Sequence, residues 1–325
     1  MYLQLMVSGW LIGGIVLLLL LLGGAVVSII YVYPISLRVY EDQVVRTSKE
    51  KFGSACTFTE VEEQVRMWNT GLDFAKTIED KKQLVDIEND GLKLHAEYYD
   101  FGYDRCIIVI PGRSEGLMYG YYFDIPYYNA GMNILAIDPR AHGESDGRYH
   151  SLGHHEHRDL DKWLAWLEEN HGIKKVFLHC ICVGTTTALL AAVNGTKRDN
   201  IKAIITEGCF VSFKETFREH IKYEKKPVYP ILPMCLHHIS KNTGADLKNE
   251  APIKLVTKIG DLPILFLYSR EDIFSLPPKS QKLFETCVSK NKQIAWFDKG
   301  FHSRLRIVNQ EGYDATIKEF VEKCG

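Results

Sequence analysis

From Gly9 to Val32 the chain carries no charged residue, and Leu17 through Leu22 is an unbroken leucine run. A helix over these 24 residues rises about 1.5 Å per residue and reaches roughly 36 Å, enough to cross a hydrocarbon core with some tilt. Pro34 is expected to end or kink it. Trp10, Tyr31 and Tyr33 fall near its two ends, where amphipathic rings sit at a membrane surface. A cleaved leader would need a basic start and a shorter apolar core, and Met1 to Ser8 has no Lys or Arg. Residues 1–37 therefore read as a retained single-pass anchor. Basic residues gather only after it (Arg38, Arg46, Lys49, Lys51), which predicts that the rest of the chain lies in the cytoplasm.

Beyond the anchor, enough chain remains for one large domain with a full core. The formal net charge of −2 leaves no basic field for nucleic acid, and no nucleic-acid motif is present. The eight cysteines are scattered, without the spacing of a zinc site or of a small disulfide scaffold. Reduced thiols are expected, in keeping with a reducing compartment. Residues 38–80 read as a charged, helix-prone connection, with an amphipathic stretch near Val61–Trp68. Residues 81–325 read as the folded domain, and every sheet and site segment falls inside it. A chain lacking residues 1–36 is accordingly expected to fold.

Within that domain short apolar runs alternate with helical patterns, the mark of a mostly parallel sheet covered on both faces. Strands are expected at Leu92–Phe101, Cys106–Pro111, Asn133–Asp138, Lys175–His179, Ile201–Thr206, Pro263–Tyr268 and Gln293–Phe297. Helices are expected at Arg158–Glu169, Gly184–Val193 and Gln310–Lys323. The long interval of about 210–258 is a separate insertion.

Three segments carry chemistry. The stretch from Lys175 to Thr185 (KVFLHCICVGT) is an apolar strand, a tight turn and a small-residue helix. That context lifts a nucleophile above a sheet edge in the pattern G-x-S-x-G, here written C-x-C-x-G. Cys182 holds the nucleophile position and Cys180 that of the first glycine, where a Cβ is unwelcome in a tight turn. The helix start behind Cys182 favours a thiolate, and the Val183 N–H is placed to stabilise an oxyanion. Asp272 follows one strand and His302 another, so the order is nucleophile, acid, histidine. An acid in that slot can hydrogen-bond the histidine's second nitrogen and fix its tautomer.

Residues from about 60 to 323 resemble the α/β-hydrolase superfamily, closest to bacterial, often membrane-anchored, serine-hydrolase-like proteins. Asp138 to Gly147 (DPRAHGESDG) resembles their D-x-R-G-H-G-x-S-x-G segment, and Glu156 to Trp163 the helix after it. Pro111-Gly112-Arg113-Ser114 resembles the H-G-x oxyanion loop, with Pro111 replacing the usual His. The resemblance implies an α/β-hydrolase fold with residues 210–258 as its cap, and makes the Arg113 N–H the second oxyanion donor. It implies a Cys182–His302–Asp272 triad that transfers an acyl group from an ester, thioester or amide to water. It calls for no cofactor and no metal, and for a small or lipid-like acyl substrate.

Other readings stand beside these. A thioester on Cys182 could pass its acyl group to an amine or thiol instead of water. The Gly-to-Cys change at 180 also fits a membrane-tethered pseudoenzyme that binds a lipid or protein. Cys182 could be a small buried hydrophobe, and Asp272 and His302 could cap loops. Histidines 154, 155 and 157 lack the spacing of a zinc helix and read as the start of a surface helix. Arg140 and His142 read as loop-packing residues.

Overall fold

The computed structural model describes residues 2–48, 50–53, 55, 56 and 59–325, and side chains from residue 9 onward. Lys49 of the basic cluster and Met1 lie outside them. Helix α1 (Tyr2–Val27) runs through a five-residue π-turn, Ser28–Val32, straight into α2 (Tyr33–Val44). Pro34 does not end the helix. Proline has no N–H to give and its ring crowds the preceding turn. The widened turn, closed by Tyr33 N–H to Ser28 O, absorbs it and the helix continues. Leu17 to Leu22 point outward, each more than half exposed, so α1 is long and apolar enough to cross a membrane.

The helix also does not stop at residue 37. Its continuation α2 lies against the insertion, burying Val39, Tyr40 and Val44. Ser36 is fully buried, with His238 Nε2 3.2 Å from its hydroxyl, and Tyr33 packs edge-on against the same ring. What reads from sequence as a charged connection is thus partly core, and a cut after residue 36 removes part of the docked face. Helix α3 (Glu62–Thr77) belongs to the domain as well. Gly71 lets it approach so closely that an added Cβ would lie 2.9 Å from the Tyr122 amide nitrogen.

Strands β1 (Lys82–Asn89) and β2 (Leu92–Tyr99) form an antiparallel hairpin at one edge of an eight-stranded sheet. There follow β3 (Arg105–Ile110), α4 (Leu117–Asn129), β4 (Asn133–Ile137), α5 (Glu156–His171), β5 (Lys175–Ile181), α6 (Gly184–Asn194) and β6 (Ile201–Glu207). The insertion contributes α7 (Phe213–Tyr223), α8 (Ile231–Thr243) and the short α9 (Pro252–Leu255). The chain closes with β7 (Ile264–Ser269), α10 (Pro277–Thr286), β8 (Lys292–Phe297) and α11 (Leu305–Cys324). The sheet order is β1-β2-β4-β3-β5-β6-β7-β8, and from β4 to β8 every pairing is parallel. Each parallel crossover needs a helix to return the chain, so helices cover both faces and the inner strands are mostly apolar. One core packs α5, α6 and α10 against the sheet, and a second packs α3, α4 and α11 against its other face.

Each of the four apolar side chains from Val39 to Val45 that α2 and its end bury is worth roughly 1.5–3 kcal/mol. A chain beginning at Tyr33 should keep the full melting temperature. One beginning at Arg46 should melt lower by more than about 5 °C, read by circular dichroism in mild detergent.

Candidate active site

Strand β5 ends at Ile181, and the next residue turns sharply: Cys182 has φ 49°, in the left-handed region. A side chain there costs energy and must be held from outside. Two contacts hold it. Cys182 N–H donates to Glu207 O at 3.0 Å, tying the turn to the end of β6. Gly184 lies so close to β3 that an added Cβ would fall 2.4 Å from Ile110 O. The thiol is half-buried at the start of α6. Among the described residues, neither the Val183 nor the Arg113 backbone N–H donates to a protein acceptor.

Cys180 departs from the expectation of a crowded turn. It is the sixth residue of β5, paired beside Ile110 and Thr206, and its side chain is fully buried in the core. The positive φ falls on Cys182, so a Cβ at 180 is accommodated and helps fill the core. Burial pushes its thiol well above the usual range, and Cys209 adds to this.

Asp272 sits in the loop after β7, with its side chain fully enclosed. Oδ1 accepts the N–H groups of Phe274 and Ser275, both at 2.8 Å, and Oδ2 accepts from His302 Nδ1 at 2.7 Å. Burial works against its charge, but His302 and these amides hold its pKa below the ordinary carboxylate range. His302, after β8, is affected in the opposite sense: burial opposes the imidazolium, yet Asp272 and Cys182 outweigh it and raise its pKa well above the usual value. Its Nε2 is buried without a hydrogen-bond partner, while the Cys182 thiol is near enough to act on the ring's charge. Gly208 makes room for the ring: a Cβ there, at φ 64°, would lie 2.8 Å from His302 Cε1.

The loop of Arg113 is fixed from behind. His142 spans the carbonyl oxygens of Arg140 and Arg113 at 2.9 and 2.7 Å, and Arg140 grips Asp159 through two nitrogens at 2.7 and 2.6 Å. Asp138, from the same segment, accepts the N–H groups of Leu117 and Glu144. In the His-rich segment His154 reaches Glu250 at 2.6 Å and His155 reaches Thr243 O, while Glu156 opens α5 and accepts from Ser151 and Gly153. They tie the insertion to the core.

Three titratable groups at the site were not anticipated. Glu207, the last residue of β6, is fully buried and accepts from Leu305 N–H at 3.1 Å and Tyr313 Oη at 2.5 Å. An acid closing an otherwise apolar strand was its signal. Glu115 turns back to accept Gly112 N–H at 3.2 Å. Burial raises its pKa to about 7, against the pull of Gly112 N–H and His302. His220 of α7 stacks on Phe274 with ring centroids 4.0 Å apart, and Phe274 also packs against His302. Nothing in the sequence of α7 singles out that histidine.

A parallel sheet that brings Cys182, Asp272 and His302 into loops after β5, β7 and β8 at one edge has a known parallel. A family model described as alpha/beta hydrolase fold matches residues 106–225. An esterase of Pyrococcus furiosus superposes with a TM-score of 0.64 at 22% identity, covering 77% of this chain and 94% of that one. This chain has the α/β-hydrolase fold. Two curated relatives are similar in sequence. The uncharacterized protein YqkD of Bacillus subtilis is 25% identical over 220 residues, 67% of this chain and 71% of that protein. An uncharacterized membrane protein of Saccharomyces cerevisiae is 28% identical over 252 residues, 75% of this chain and 80% of that one. In an α/β-hydrolase fold the insertion over the sheet's C-terminal edge is the cap, here built from α7 and α8.

Glu115 gives the site a pH signature. Its folded pKa exceeds the ordinary value, so between about 4.5 and 7 the folded state binds more protons than the unfolded one and stability falls as pH rises. Glu115→Gln should flatten that fall, raising the melting temperature at pH 8 while leaving it nearly unchanged at pH 4.

Proposed function

We propose that this chain is a membrane-anchored acyl hydrolase that cleaves an ester, thioester or amide through a thioester on Cys182. One observation carries the reading. His302 is bonded to a buried carboxylate through one ring nitrogen and leaves the other, buried and unpartnered, close enough to the Cys182 thiol for the two to interact. An isolated buried nitrogen is costly, and a thiol that exchanges a proton with it accounts for its place. The fold's likeness to an esterase supports hydrolytic chemistry.

The steps follow from these positions. His302 Nε2 takes the proton of the Cys182 thiol, and the bond to Asp272, which raises the ring's pKa, favours the imidazolium so formed. The Cys182 Sγ attacks the carbonyl carbon, and the oxygen takes up the negative charge between the Val183 and Arg113 N–H groups. The intermediate collapses, the bond to the leaving group breaks, and His302 Nε2 gives it a proton. Water then attacks the thioester, giving its proton to His302 and releasing the acid and the Cys182 thiolate. Asp272 keeps Nδ1 bonded throughout and stabilises the charged ring. No cofactor or metal enters these steps.

The apolar α1, its unbroken passage into the cap, and a yeast relative described as a membrane protein all support anchoring. Basic residues after the span and eight free cysteines favour a cytoplasmic domain. A single apolar cluster runs from Val39 and Tyr40 on α2 to Val183 on the elbow, with Cys182 against it. An acyl chain would meet this surface on its way from the bilayer.

Hydrolysis of nitrophenyl acetate by the full chain in detergent is the test. Cys182→Ala and His302→Ala should each lose on the order of a thousandfold in kcat, and Asp272→Asn about a hundredfold or more. Undiminished turnover in Cys182→Ala would reject the reading. Cys180→Gly should keep activity but lose about 1–2 kcal/mol of stability, because it empties core volume and frees a strand residue.

A further inference from the structure

The other buried arginines of the domain are paired. Arg140 holds Asp159, and Arg306 holds Asp314 at 2.7 and 2.8 Å and the Tyr122 carbonyl at 2.9 Å. Arg113 is different. Its carbonyl is pinned by His142, but its guanidinium has no hydrogen bond or ion pair with any described residue. The side chain is half-buried and borders a cavity shared with Pro111, His150, Val183 and Gly184. The carboxylates of that cavity, Asp138, Glu156 and Asp159, are already engaged by Leu117 and Glu144 N–H, by Ser151 and Gly153, and by Arg140. Val183 and Gly184, the two residues after Cys182, form part of the cavity wall. Depth in the protein lowers the guanidinium's pKa, and the charges acting on it come from Cys182 first, then Glu224 and Cys235 of the cap side and Glu115. His150 and His220 both respond to it.

A cation withdrawn from water and left unpaired costs energy that an anionic ligand can offset, and arginine's planar fork suits carboxylate and phosphate oxygens. We propose that the Arg113 side chain is an anion-binding group of the acyl site, so that the preferred substrate carries a carboxylate or phosphate a few bonds from its scissile carbonyl. The position follows from covalent geometry. Backbone and side chain of one residue serve both sites, so the anion cannot lie farther from the carbonyl oxygen than one arginine side chain reaches. Glu224 and Glu115 are the carboxylates that act on the guanidinium, and Glu115, with its pKa near 7, is only partly charged at neutral pH. The inference rests on the acyl-hydrolase reading of Cys182, but it makes a separate claim about selectivity.

Two substrate pairs test it on the full chain in detergent. Nitrophenyl butyrate against the mono-nitrophenyl ester of glutarate places a carboxylate on the acyl side. Glycerol monobutyrate against the butyryl ester of glycerol phosphate places a phosphate on the leaving side. Wild type should favour the charged member of at least one pair by about tenfold in kcat/KM, and Arg113→Gln should remove that preference while Arg113→Lys keeps most of it. The pair that responds identifies the source of the anion. Equal preference in wild type and Arg113→Gln overturns the proposal. So does an equal loss on charged and neutral esters, which would assign the guanidinium to the thiolate or the loop. Turnover of the neutral ester by wild type tests the hydrolase reading on its own. A readout without turnover completes the test. Glutarate or glycerol phosphate should slow iodoacetamide labelling of Cys182 in wild type and not in Arg113→Gln, and absence of protection in wild type by either anion also overturns the proposal.

Discussion

The turn at Cys182 is the constraint around which the rest of the domain is arranged. A residue at φ 49° cannot hold itself, and here three strands share the load. Strand β5 delivers the backbone, β6 accepts the Cys182 N–H through Glu207 O, and β3 presses Ile110 O against Gly184. Only a parallel arrangement brings three strand ends to one point, because all then finish at the same edge. The same geometry brings Asp272 and His302 there from β7 and β8. Strained backbone, an acid held by two amides, and a histidine fitted over Gly208 form one mechanical unit.

Beneath it lies a second layer of polar groups. Tyr127 and Tyr313 bracket the fully buried His179 at 2.8 and 3.2 Å, and Tyr313 hands on to Glu207 at 2.5 Å. Burial lowers the pKa of His179 to about 3, with Arg306 adding to this, so the ring is neutral. A neutral histidine bonded on both nitrogens can be buried at little cost, and it braces β5 against α4 and α11 just below the elbow. On the opposite side, α2 packs on the insertion, so this helix and Cys182 border one apolar cluster.

Much of this was legible in the sequence. The parallel strands declare themselves because both faces are covered, which leaves runs such as CIIVI and ILFLY with nothing polar in them. Cys182, Asp272 and His302 stand out as candidates because each follows such a run, and the structure brings Asp272 and His302 into contact. The edge strand β1 was missed since only Val85 of its eight residues is buried, and an edge that pairs on one side needs no apolar pattern. Helix α2 was misread because its charges and Pro34 look like a linker, and only the cap shows which face is covered. Cys180 looked strained because the motif assigns a glycine there, whereas the backbone puts the strain two residues later. Glu115 and His220 gave no signal at all. Their roles arise from long-range neighbours that no local pattern records.

The most direct measurement of the account is a rapid-quench experiment with nitrophenyl acetate on the full chain. The account predicts a burst of nitrophenol approaching one equivalent per active site, with the acyl mass found on the peptide containing Cys182 and lost on treatment with hydroxylamine. Turnover that leaves Cys182 unmodified, or places the acyl group on another residue, would contradict it.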